Sequence, residues 1–224
     1  MTRLFLTSFA VVLVGLSANA QTANFTIGDV PEAPEAGGYR YLQVATSVGG
    51  LNVRLNASTQ GQVLGALPDG TVLTNLGCQA GADRAWCDVQ PVAGGTRGYV
   101  AAEYLRPAIS LNGAPPRGPN DSAERAGLGD FDATGSIPCA QSADQPMTAC
   151  EFGVARGGGG DATVSITKPD GSTRAIFFVL GTGIAADVSQ ADYGEFGYRR
   201  EGDLSFVTVG TERYEIPDAV VVGG

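Results

Sequence analysis

Apolar residues in this chain come in short pieces cut off by glycine, and no stretch sustains them at helical spacing. In the first half the pieces are Leu51, Val53 and Leu55; Val63, Leu64 and Leu67; Val72, Leu73 and Leu76; Trp86 and Val89; Tyr99 and Val100. Gly61, Gly65, Gly70 and Gly98 stand among them as turn or bend residues. Brief runs broken at this rate predict a small barrel of short strands.

The second half reads as β for a sharper reason. Ala162, Val164 and Ile166 alternate with Thr163, Ser165 and Thr167, Lys168-Pro169-Asp170-Gly171 supplies turn chemistry, and residues 173–180 return as a strand. Period-two alternation around such a turn predicts a hairpin with Lys168 in solvent at its tip. The returning Ala175-Ile176-Phe177-Phe178-Val179-Leu180 is apolar on both faces, so that strand should lie centrally or be covered twice. Residues 204–209 and 211–216 flank Gly210 as two further strands, and Phe196 and Tyr198 begin another before the turn Glu201-Gly202-Asp203. The expected class is all-β: a small barrel, then a second antiparallel sandwich or barrel of a size that can hold its own core.

Around these two units the chain divides by composition. Residues 1–20 read as a signal peptide: Arg3, an apolar run from Leu4 to Leu16, and Ala18-Asn19-Ala20 as a small-x-small cleavage site. The run is too short to span a membrane, and Gln21 after the cut offers no thiol for lipid attachment. Residues 21–38, with Pro31 and Pro34, carry little to bury and are expected as a flexible lead-in. Residues 39–107 form the first unit and 136–224 the second. Between them 108–135 is a Pro/Gly-rich linker, because Ala114-Pro115-Pro116-Arg117-Gly118-Pro119 blocks both helix and sheet. One helical turn fits at residues 122–126, capped by Asp121 or Ser122. The reading places the protein in the periplasm or outside the cell.

Four cysteines in an exported chain read as two disulfides, for which three connectivities exist. The local pairs Cys78 with Cys87 and Cys139 with Cys150 are expected. A metal or redox site would want two-residue spacing or histidine companions, and neither is present. Removing the signal changes the formal charge from −9 to −10. A surface of that sign repels phosphate backbones and anionic lipid, so nucleic acid is not a partner.

Gly50-Leu51-Asn52-Val53-Arg54, then Trp86-Cys87, then Gly98-Tyr99-Val100 with Tyr104-Leu105, resembles a bacterial SH3-like (SH3b) domain over residues 50–107. The resemblance implies a binding module with a short helical turn at residues 101–105 before its last strand. Tyr99 stands where tryptophan is common in that family. The second half resembles no named family. The contact candidates are Asn52, Arg54, Trp86, Tyr99 and Tyr104, which join flat amphipathic rings to hydrogen-bond donors as peptide or sugar sites do. Trp86, the single tryptophan and next to a cysteine, reads first as packing, and Asn52 and Arg54 as supports of the turn region.

Histidine is absent, which removes the Cys-His pair of cell-wall peptidases and transpeptidases and the ligands of zinc amidases as this chain's own activity. A Ser-Lys dyad would need Lys168, the sole lysine, to be desolvated, against its expected place on a turn. Asp187, Asp192 and Glu195 are the carboxylates near enough in sequence for hydrolysis or calcium, though a polar loop explains them. Gly157 to Gly160 leads into Asp161 and a strand, not the Lys-Ser/Thr and helix of a phosphate loop. The reading is a non-enzymatic binding protein without cofactor or metal, docking on peptidoglycan peptide or an envelope protein. The alternatives are an inhibitor of a basic lysozyme or protease and a carboxylate-dependent hydrolase.

Overall fold

The computed structural model describes residues 23–47, 49–187 and 194–223. The expected signal peptide and Asp192 lie outside them. The class is all-β, in two antiparallel sheets.

The first sheet holds β1 (Tyr41–Val44), β2 (Leu51–Arg54), β3 (Val63–Leu67), β4 (Val72–Ala80), β5 (Ala85–Pro91), β6 (Gly98–Ala101) and β7 (Leu105–Pro107), in the order β3-β2-β6-β5-β4-β1-β7. A 3-10 turn over Ala102–Tyr104 precedes β7, where the family resemblance puts it. Leu42, Val44, Leu51, Val53, Leu73, Val89, Val100 and Leu105 close the core. Leu55, Val63, Leu64 and Leu76 stay exposed, because β3 is an edge strand with a single neighbour and the others lie at turns or bulges.

The second sheet holds β8 (Ala133–Ala140), β9 (Thr148–Gly158), β10 (Asp161–Thr167), β11 (Thr173–Val179), β12 (Thr182–Ala186), β13 (Phe196–Glu201), β14 (Leu204–Val209) and β15 (Glu212–Pro217). Its order, β12-β11-β10-β9-β8-β15-β14-β13, is a meander in which β15 turns back onto β8. The two free edges approach: a Cβ on Gly183 of β12 would lie 2.8 Å from the Tyr198 ring of β13. The sheet is thus curled nearly into a barrel, filled by Ile137, Val154, Val164, Ile166, Ile176, Phe178, Val207, Tyr214 and Ile216. Helices α1 (Ser122–Gly127) and α2 (Asp218–Val222) pack on β9 and β10.

The hairpin stands where period-two alternation put it, with Thr167 opposite Thr173 and Asp170 accepting from the Ser172 amide and hydroxyl. Strand β11 is interior to the sheet, and beyond its end Val179 and Leu180 pack with Tyr41 and Ala108 across the junction between sheets. Both disulfides join local partners: Cys78–Cys87 between β4 and β5, and Cys139–Cys150 between β8 and β9. Replacing Cys139 and Cys150 by serine should cost about 2–3 kcal/mol of unfolding free energy in urea titrations, since the bridge closes a short loop in the unfolded chain. A loss below about 1 kcal/mol would contradict that model.

Three expectations need correction. The segment 24–38 is not free chain: Pro31, Pro34 and Gly38 are buried, the Phe25 amide donates to the Leu105 carbonyl at 3.0 Å, and Asn75 donates to the Glu32 carbonyl at 3.0 Å. Proline-rich chain that cannot pair as a strand still packs when a side chain such as Asn75 serves its carbonyls. Segment 108–135 is likewise held, with Ala108, Ser110 and Pro116 buried and Phe131 lying over Gly153. Helix α1 is capped by neither Asp121 nor Ser122. Asn120 Oδ1 accepts from the Ser122 amide at 3.0 Å, while the Ser122 hydroxyl is engaged with Thr163 at 3.1 Å.

Lys168 is a further correction: it is 7 % exposed rather than solvated. Its side chain folds over the end of the second sheet, where Nζ meets Glu212 Oε1 at 2.7 Å. A carboxylate buried there demands cations, and the turn delivers one.

Candidate functional site

Strand β2 places Leu51 and Val53 in the core, so Asn52 and Arg54 point outward by pleat alternation. On β5 the inward residues are Ala85, Cys87 and Val89, which turns Trp86 to the outer face. The register pairs Trp86 with Ala101, Asp88 with Tyr99, and Arg54 with Tyr99. The 3-10 turn then raises Tyr104 beside Trp86. Ahead of β2, Gly49 and Gly50 both have positive φ, 56° and 110°. This conformation strains any other residue, and Gly50 itself lines the cleft between these elements.

These elements enclose a cleft of about 250 Å³ lined by Asn52, Arg54, Arg84, Trp86 and Tyr104 among others. Trp86 is only 4 % exposed and belongs to the buried apolar residues, in keeping with its expected packing role, though it lies outside the main cluster of the barrel. It is covered from outside by the β4–β5 hairpin tip, where a Cβ on Gly81 would come within 2.8 Å of the indole. The indole is therefore packed, with only its rim left to floor the cleft. Tyr104 and Asn52 are exposed, and Tyr104 supplies a wall.

Arg54 is half-buried and donates from Nη1 to the Gly61 carbonyl at 2.8 Å, shaping the β2–β3 loop. The expected turn-supporting role is visible, and the guanidinium still lines the cleft. Tyr99 does not line it: the ring lies farther along the same outer face, near the Arg97–Asp88 ion pair. Four of the five contact candidates thus come together, and Tyr99 stands apart.

Arg84 is the charged lining residue that sequence reasoning missed, along with the uncharged Thr46 and Thr59. It stands in the β4–β5 hairpin tip, one residue before β5 begins, where strand alternation gives no signal for its facing. Nη1 of Arg84 pairs with Glu103 Oε1 at 2.7 Å, tying the hairpin tip to the 3-10 turn. Nε of Arg84 and Oε2 of Glu103 are buried without hydrogen-bond partners among the described residues.

The carboxylate alternative fares less well. Asp187 follows β12, and its backbone carbonyl accepts from Arg174 Nη1. Glu195 precedes β13, its carbonyl bound to the Gly210 amide at 3.0 Å. Lys168, the residue a Ser-Lys dyad would need, has Glu212 as its partner. Among the described residues no three His, Cys, Asp or Glu side chains are grouped to hold a metal ion. Nor is any helix long and apolar enough to cross a membrane. Gly158, Gly159 and Gly160 all have positive φ and form the tight β9–β10 connection, whose Gly160 carbonyl accepts from the Gly181 amide at 2.8 Å.

Residues 49–106 match the family model for the bacterial SH3 domain, about a quarter of the chain. No curated protein and no solved structure matches the chain.

Proposed function

We propose, with the bacterial SH3 domain at residues 49–106 as premise, that this chain is an exported binding protein whose outer cleft takes a cell-wall peptide. The observation that carries the reading is the cleft itself. An aromatic floor and wall, Trp86 and Tyr104, face the donors of Asn52 and Arg54 at one concave place on a domain family made for binding. Two cross-strand disulfides suit an oxidising compartment, the periplasm or the exterior, as a signal peptide cleaved after Ala20 would require. The second sheet would give the SH3 domain a rigid mount and a further surface. The missing histidine and a lysine committed to a carboxylate support a non-enzymatic reading.

Co-sedimentation with purified peptidoglycan tests it. The mature chain should pellet with the wall, Tyr104→Ala combined with Asn52→Ala should reduce the pelleted fraction about tenfold, and Tyr99→Ala should not. Pelleting that ignores the cleft substitutions would place the contact elsewhere. No pelleting at all would remove the wall as ligand.

A further inference from the structure

The cleft is charged against the grain of the molecule. The chain has 23 acidic and 14 basic residues, yet the described residues lining the cleft include two arginines and no carboxylate. Glu103 sits behind Arg84, so the three charged groups together carry a single positive charge. Arg54 spends one N–H on Gly61, and Arg84 pairs through Nη1 with Glu103 while its Nε has no partner. A guanidinium has five N–H donors in a planar fork, so both arginines keep donors to offer.

We propose that this cleft recognises the free carboxylate of a peptide: Arg54 and Arg84 donate to it, an apolar side chain next to it lies on the exposed Tyr104 ring beside the rim of Trp86, and Asn52 bonds the peptide backbone. The inference rests on the cleft being the ligand site, and adds what the ligand must carry. A carboxylate suits the fork geometry of arginine. A monoanion also matches the net single charge, whereas a phosphate dianion would be left half-balanced. The exposed Tyr104 ring, with the rim of Trp86 beside it, calls for apolar surface next to the charge, which a short peptide end supplies and a bare ion does not. A purely structural Arg84–Glu103 pair would hold the hairpin tip to the 3-10 turn and show no preference among ligands.

Trp86 is the only tryptophan, so its emission reports on the floor of the cleft and nothing else. N-acetyl-alanyl-alanine is titrated against the full mature chain beside the same dipeptide with an amidated C-terminus. The free acid should shift the emission saturably and bind at least about tenfold tighter than the amide, the loss expected of a charge-assisted hydrogen bond. Arg54→Gln and Arg84→Gln should each narrow the gap between acid and amide to less than about threefold. Glu103→Gln, which removes the opposing charge, should tighten the acid alone. If Arg84→Gln does not fold by circular dichroism, Arg84→Lys and Arg54→Gln carry the same test.

Equal affinity for acid and amide, or an unaltered preference in the arginine variants, overturns the carboxylate assignment. So does an emission unmoved by either peptide. Peptidoglycan pelleting that still depends on Tyr104 in those cases keeps the broader reading alive. Acid preference without pelleting leaves carboxylate recognition intact and shifts the peptide's source away from the wall.

Discussion

Replacing Asp161 by alanine is expected to cost about 3–5 kcal/mol of unfolding free energy, the penalty for leaving one partner of a buried ion pair alone. The first residue of β10 meets the last residue before β1 here: Arg40 Nη1 lies 2.5 Å from Asp161 Oδ2, with side chains 8 % and 0 % exposed. The same guanidinium donates to the carbonyls of Arg117 at 3.0 Å, Gly118 at 2.9 Å and Pro119 at 2.9 Å, and Asp161 accepts from the Tyr41 hydroxyl and the Leu180 amide, each at 3.0 Å. First sheet, connecting segment and second sheet therefore share one polar hub. Burial pushes the Asp161 carboxyl above its ordinary range, against the pull of the Leu180 N–H and Arg40. The pair is thus no generous source of stability while intact, but its rupture strands a cation in a dry place. Asp161→Asn should lose nearly as much as alanine, because an amide cannot balance the charge. Urea titrations near neutral pH decide it, and a loss under about 1 kcal/mol would mean that water reaches Arg40 and the junction opens.

Glu212→Gln should be comparably damaging, about 3–5 kcal/mol. One carboxylate serves Lys168 Nζ at 2.7 Å, Arg174 Nε at 2.9 Å and Nη2 at 3.0 Å, and the Tyr214 hydroxyl at 2.7 Å. Arg174 is 1 % exposed, so the stranded charge would have nowhere to go. Burial alone would raise the Glu212 pKa, but Arg174, Lys168 and Tyr214 outweigh it and hold the group below its ordinary 4.5. The unfolded chain therefore takes up the proton first as pH falls. The stability that Glu212 confers is complete above about 4.5 and drains away as pH drops through the lower folded value. The native protein should show that acid limb in urea midpoints measured from pH 7 to 3, and Glu212→Gln should flatten it from a lower plateau. An acid limb equally steep in the variant would assign it to other carboxylates.

Legibility in the sequence tracked distance along the chain. The 162–180 hairpin was readable because its pairing and its turn are spelled out within about twenty residues. The disulfide pairs were readable because each spans 9 or 11 residues between adjacent strands. The SH3 domain was readable from residue types in order, and with it most of the cleft, since Asn52, Arg54 and Trp86 take their facing from local alternation. Tyr99 shares that outer face but lies outside the cleft, a distance along the strand that alternation does not express. Arg84 was overlooked because a hairpin tip gives no hint of which strand residue lies beneath. The packed segments 24–38 and 108–135 were taken for loose chain because their partners, Leu105, Asn75 and Arg40, lie far off in sequence.

What the amino-acid order determined unaided is the β class, the turns and the outward set of β2 and β5, since each follows from backbone sterics and a two-residue period acting within a hairpin. What only the tertiary structure decided is where the charges went. Arg40 finds Asp161 across 121 positions, and Lys168 finds Glu212 across 44. A cation is drawn inward only where a carboxylate has already been shut away from water, and that meeting exists once the two sheets have closed.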